Sequence, residues 1–263
     1  MGKSIGVLSI KGGVGKTSSV IALGDAISGF GKKVLLVDAN FSAPNLGVHL
    51  NVIDPENSLH DVLGRSANLH QSIHKLEGFD IIPASIFSRK AINPLELKNK
   101  VNILKNRYDF VLIDSSPALN EETLAAMLAS DEILIVTTPD YATLSTTLKA
   151  IKLAKQRRTP INGLILNKVH NKNFEISIRD IEETVEIPVL AVIPYDINIL
   201  KSASRFTPST SYKPNSKASK EYKKLAGILI GKRYIPFSLR RFFKITPNKQ
   251  EINREIFYKS VFG

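Results

Sequence analysis

The chain has no cysteine and no run of about 18 apolar residues. Without thiols it can form no disulfide, no thiolate zinc site and no Cys-ligated iron–sulfur cluster. Without a long apolar run it has no segment that spans a bilayer as a helix. The opening Met1-Gly2-Lys3-Ser4-Ile5-Gly6 runs straight into an apolar stretch with no signal-like segment ahead of it, so we expect a cytoplasmic protein. No insertion is long enough to build a separate substrate pocket, which argues against a synthase that activates a small molecule. Acid is scarce in one region. Residues 201–263 hold 3 Asp/Glu against 15 Lys/Arg, whereas residues 1–200 balance at 21 of each, so the whole formal charge of +12 is C-terminal. Such asymmetry is the footprint of an anionic partner, either lipid headgroups or nucleic acid, unless it is only a solvated tail.

What is present reads as one large α/β domain, for which 263 residues suffice. Apolar, β-branched runs at Ile5–Ile10, Lys33–Val37, Phe79–Ile82, Phe110–Ile113, Ile133–Thr137, Gly163–Leu166 and Val189–Ile193 predict buried strands. Between them, helical periodicity marks Ser18–Ser28, Asn93–Lys105, Asn120–Ala129, Ser145–Gln156 and Glu175–Val185. This alternation predicts a doubly wound, mostly parallel sheet with helices on both faces. A basic Ser/Pro-rich loop, Ser202–Ser219, leads into a last helix, Lys220–Arg233. We place the domain at 1–233 and a C-terminal extension at 234–263.

Lys11-Gly12-Gly13-Val14-Gly15-Lys16-Thr17 lies directly between the first strand and the first helix. Glycines lacking Cβ let backbone N–H groups converge on phosphates, and the helix N-terminus adds partial positive charge. Lys16 can then reach the β/γ-phosphates and the Thr17 hydroxyl can ligate Mg²⁺. The expected nucleotide contacts are Gly12, Gly13, Val14, Gly15, Lys16, Thr17 and Ser18. The generic pattern has a glycine where this chain has Ile10, and an extra lysine, Lys11, follows it.

K-G-G-V-G-K-T with that extra lysine resembles the deviant phosphate loop of the MinD/ParA family of ATPases. The resemblance implies an ATP- and Mg²⁺-dependent homodimer in which Lys11 reaches the nucleotide held by the partner subunit. It also covers Val37-Asp38-Ala39-Asn40 with Pro44-Asn45-Leu46, which resembles the family's first switch. It implies for Asp38 a role near the attacking water and the Mg²⁺ shell. Many relatives carry a second Asp where this chain has Asn40, which cannot hold negative charge, so slow or activator-dependent hydrolysis is expected. Asp114 ends an apolar strand, Phe110 to Ile113, and can hold Mg²⁺ through water. Its D-S-S-P continuation, through Pro117, resembles the second switch. Further on, the family's pattern implies that Asn167 and the backbone around Pro194 read adenine. The matching motifs run from about Lys3 to Arg233. The absence of cysteine sets the chain apart from cluster-carrying relatives such as the nitrogenase iron protein.

In the extension, Leu239, Phe242, Phe243 and Ile245 fall on one side of a helix and Arg240, Arg241 and Lys244 on the other. Such a patch suits the boundary of an anionic bilayer, and the resemblance implies a C-terminal membrane-targeting helix of this general kind. Two readings stay open beside it: the apolar side covers a groove on the same domain, or Lys213, Lys217, Lys220, Lys223 and Lys224 hold DNA as in ParA-like chromosome or plasmid partitioning. On the leading reading the protein controls spatial positioning, such as division-site placement, with an activating protein as a further partner and no small-molecule substrate beyond ATP.

Overall fold

The computed structural model describes residues 1–88, 90–236 and 247–263. Strands β1 (Lys3–Leu8), β2 (Val34–Ala39), β3 (His74–Lys75), β4 (Asp80–Ile82), β5 (Phe110–Ser115), β6 (Glu132–Thr137), β7 (Ile161–Val169) and β8 (Val189–Pro194) form one sheet. Its order is β3-β4-β2-β5-β1-β6-β7-β8. Every neighbouring pair is parallel except β3 with β4. The expected doubly wound sheet is therefore present.

The strands read as unbroken apolar runs because both faces are covered. Along β2, Leu35 and Val37 join one core while Val34 and Leu36 join the other. The first core is closed by α4 (Leu97–Leu104), α5 (Glu121–Leu128), α6 (Tyr141–Arg157) and α7 (Ile178–Val185) through Leu97, Val101, Met127, Ile151 and Ile181. The second is closed by α1 (Lys16–Ser28) and α10 (Lys217–Leu229) through Val20, Leu23, Ile27, Tyr222 and Leu225. Smaller helices α2 (Leu46–His49), α3 (Leu59–Leu63), α8 (Ile197–Ala203) and α9 (Ser209–Tyr212) sit in the connections. Strand β1 is central, and the chain winds from it in both directions. The crevice where β5 and β6 flank its carboxyl end is where such sheets take ligands.

Local chemistry moves several boundaries. Asp140 accepts the Thr143 N–H at 2.9 Å as N-cap, so α6 starts at Tyr141 rather than Ser145. Asn93 caps a 3₁₀ turn, Pro94–Glu96, that precedes α4. The stretch expected as the loop Ser202–Ser219 contains α9 and parts of α8 and α10.

The final helix, α11 (Lys249–Phe262), lies within the segment expected as an extension and is docked on β8 and α10. Its ties are largely polar. Asn253 Nδ2 donates to Val189 O at 2.8 Å, and Arg254 Nη1 donates to Leu190 O and to Glu221 Oε2, both at 2.9 Å. Phe257 adds the one large apolar side chain that α11 buries. The amphipathic patch from Leu239 to Ile245 lies outside the described residues.

Candidate functional site

At the carboxyl end of β1 the chain turns through Gly13 and Gly15, with φ of 77° and 90°, a left-handed backbone that favours glycine. Gly15 is doubly constrained, because a Cβ there would lie 2.3 Å from Asn167 Nδ2. It also caps α1, whose first turn carries Lys16 and Thr17.

Both side chains turn to Asp114. Lys16 Nζ donates to Asp114 Oδ1, and Thr17 Oγ1 donates to Oδ2 at 2.6 Å. Asp114 is fully buried at the end of β5, and Lys16 is 7% exposed. Asp38 on β2 is the direct register partner of Asp114, so two carboxylates end adjacent parallel strands. Burial first, and then the charge of Asp114, push the Asp38 carboxyl up to about 7. Its oxygens accept backbone N–H groups from Asn40 and Asn45 at 3.1 Å and from Leu46 at 3.0 Å. Asp38 thus bends the 40–46 loop back over the strand end, and its oxygens face those amides rather than the cavity. Asn40 Nδ2 donates to Ala43 O inside the same loop, and Asn40 Oδ1 is buried without a partner among the described residues.

A cavity of about 340 Å³ opens beside this cluster. Its walls include every residue from Lys11 to Ser18, together with Asn40, Asn167, Pro194 and Tyr222. All the residues expected to contact nucleotide therefore share one cavity, whereas Asp38 and Asp114 lie behind its wall. Lys11 also reaches sideways: its Nζ is 2.8 Å from Thr143 Oγ1 and 3.3 Å from Asp140 Oδ1 of the same chain.

Three contacts were not legible as site features in the sequence. Tyr222 of α10, 1% exposed, shares a 2.9 Å hydrogen bond with Ser19 Oγ, which donates to Gly15 O at 2.8 Å. Lys168 Nζ donates to Gly13 O at 2.6 Å. Asn167 spends its amide nitrogen on Val14 O at 2.7 Å. Only adjacency to Asn167 marked Lys168 in the sequence, and nothing marked Tyr222.

The glycine loop and Lys16 line a cavity of a chemistry that suits a polyphosphate, and the hydroxyl and carboxylate pair of Thr17 and Asp114 offers hard oxygen donors. The described residues hold no cluster of three or more His, Cys, Asp or Glu. So small a donor set fits a cation such as Mg²⁺, which usually takes one or two protein ligands plus phosphate and water. The buried, like-charged pair Asp38 and Asp114 is also an environment that added positive charge would relieve.

The AAA domain family model matches residues 2–165. An uncharacterized ATP-binding protein of Methanocaldococcus jannaschii is 32% identical over 237 residues, covering 89% of this chain and 90% of that protein. The septum site-determining protein MinD of Bacillus subtilis is 31% identical over 245 residues, covering 88% and 90%. This chain belongs to the MinD/ParA family of P-loop ATPases. Among solved structures, MinD of Pyrococcus horikoshii complexed with Mg-ADP superposes with a TM-score of 0.82 at 33% identity, covering 87% of this chain and 96% of that one. The likeness of this MinD/ParA ATPase to its relatives thus spans the sheet on both sides of β1, not only the loop.

Proposed function

We propose that the protein is an ATP-hydrolysing switch that dimerises on ATP and binds an anionic membrane surface reversibly, to position a cellular structure such as a division site. The carrying observation is the junction of Lys16, Thr17 and Asp114 against a cavity walled by the whole loop from Lys11 to Ser18. Lys16 and the loop amides would grip the phosphates, and Thr17 and Asp114 would hold Mg²⁺, whose charge stabilises charge building on the phosphoryl oxygens. Asp38 ties the 40–46 loop to the site, so that loop is the element placed to sense loss of the γ-phosphate. Lys11 would cross to the nucleotide of a second subunit, and Asn167 with the backbone at Pro194 would meet the adenine.

The membrane reading draws on the basic C-terminal region and on α11, where Ile252 is 42% and Ile256 62% exposed. Among the described residues no helix is long and apolar enough to cross a membrane, so attachment would be peripheral. A second reading, DNA held without sequence preference, is favoured by Lys213, Lys217 and Lys220. None of these three takes part in an ion pair among the described residues.

The test uses the full chain. Mg²⁺-dependent phosphate release from ATP, lost in Lys16→Ala, supports the enzymatic part. Co-sedimentation with phosphatidylglycerol vesicles in ATP but not ADP supports the membrane part. ATP-dependent retention on duplex DNA without vesicle binding would replace it with the second reading.

A further inference from the structure

The pairing of β7 with β8 shifts register between Leu166 and Val169, so Asn167 and Lys168 form a bulge at the strand's carboxyl end. Lys168 there has φ of 56°, a left-handed conformation that is uncommon for a lysine and persists only where surrounding contacts over-determine it. The two side chains differ in exposure: Asn167 is 4% exposed, whereas Lys168 is open to solvent. Yet both end on the phosphate loop, on successive carbonyls, Val14 O at 2.7 Å and Gly13 O at 2.6 Å.

Peptide units are planar and trans, so fixing a carbonyl fixes the N–H of the next residue in the opposite direction. Holding Gly13 O toward β7 points the Val14 N–H away from it, into the loop, and holding Val14 O does the same for Gly15 N–H. Glycine is the most freely rotating residue, and a loop built of Gly12, Gly13 and Gly15 loses the most order when such ties are absent. We propose that Lys168 is a positioning residue for nucleotide binding: its ammonium pins the Gly13 peptide so that loop amides stand ready for phosphate before any ligand arrives. This rests on the nucleotide reading above. Lys168 has no carboxylate partner among the described ion pairs, and Gly13 O is the acceptor its ammonium meets among the described residues.

The role differs from that of Lys16. A residue that organises the loop serves diphosphate and triphosphate alike, whereas one that meets the terminal phosphates favours the triphosphate. Lys168→Gly keeps the left-handed backbone without strain and removes the amine; Lys168→Arg keeps a donor. Calorimetry with Mg-ADP and with a non-hydrolysable Mg-ATP analogue should show Lys168→Gly weakening both roughly tenfold, the loss expected for one charge-assisted hydrogen bond, with their ratio unchanged. Lys168→Arg should recover most of it. In the ligand-free protein, hydrogen exchange at the Val14 and Gly15 amides should quicken in Lys168→Gly, with the β7 core amides unaltered. Unchanged affinity and unchanged loop exchange would overturn the assignment. Selective loss of the triphosphate analogue would overturn it too, by placing the ammonium on the ligand. If the unaltered chain binds neither nucleotide, the underlying nucleotide reading fails and this role with it.

Discussion

Lys11 and Asp140 of one chain form an ion pair, Nζ to Oδ1 at 3.3 Å, at the N-cap of α6. A lysine that would serve a partner subunit is thus held at home. Burial works against the charged form of Asp140, but hydrogen bonds from Thr138, Thr143 and Lys11 outweigh it and bring the carboxyl down to about 2.

If that contact competes with dimer formation, weakening it should favour the dimer. Asp140→Asn keeps an N-cap oxygen and removes the charge facing Lys11. The pair is substantially exposed and worth less than about 1 kcal/mol in each subunit, so with two copies per dimer the proposed ATP-dependent dimer should tighten by at most roughly thirtyfold. Light scattering with ATP reads this directly, and a weaker dimer in Asp140→Asn would count against competition. Lys11→Ala should show the opposite, with dimerisation impaired and single-subunit nucleotide binding kept.

The same carboxylate predicts an acid limb of stability. Its folded-state pKa lies below the ordinary 3.8, so its contribution is present above about pH 4 and is lost as pH falls towards 2. Asp61, which caps α3 through Ser58 and pairs with Lys90, is likewise held low and should lose its contribution in the same direction. The gap in thermal midpoint between the unaltered chain and Asp140→Asn should be widest near neutrality and close by about pH 2. A gap constant with pH would show that the charge of Asp140 does not matter.

Gly15→Ala should be far more damaging than its single methyl suggests. The added Cβ would meet Asn167 Nδ2 at 2.3 Å on a backbone at φ of 90°. Alanine in that conformation costs about 1 kcal/mol before the clash, and moving Asn167 also frees Val14 O. Nucleotide titration should show at least tenfold weaker binding with the urea midpoint lowered only modestly. Gly12→Ala, with open space around it, is the matched comparison.

The docking of α11 yields an asymmetric pair of variants. Arg254, 5% exposed, takes Glu221 as its only carboxylate partner among the described ion pairs, and its Nη2 has no partner among the described residues. Glu221 also pairs with Lys224 at 2.6 Å. Glu221→Ala therefore strands a buried cation and should cost about 3 kcal/mol, whereas Arg254→Ala leaves Glu221 paired and should cost less. Urea unfolding of the two variants measures the difference, and equal losses would mean the ion pair is not what secures the helix.

Strands such as β2 and β5 were legible because a layer buried on both faces writes itself as an apolar run, whereas the two-residue edge strand β3 was not. The loop from Lys11 to Thr17 was legible because its chemistry is local: glycines, a lysine and a hydroxyl in fixed succession. The contacts of Lys11, Lys168 and Tyr222 were not, since each partner is more than a hundred residues away and hydrophobic period says nothing of such pairings. The seat of α11 is illegible in the sequence for a related reason. Asn253 and Arg254 are ordinarily surface residues, and only tertiary neighbours make them anchors. The start of α6 is hidden from hydrophobic period because Thr143, Ser145, Thr146 and Thr147 interrupt it, and the Asp140 cap sets it.

Because Asn253 and Arg254 occupy the carbonyls of Val189 and Leu190, α11 acts as a cap on the outermost strand of the sheet. A chain shortened ahead of residue 247 would leave that flank uncovered and open to pairing with a neighbour's strand. Such a product would self-associate for reasons unrelated to ATP, so sedimentation of a shortened form would report stickiness rather than membrane or DNA affinity.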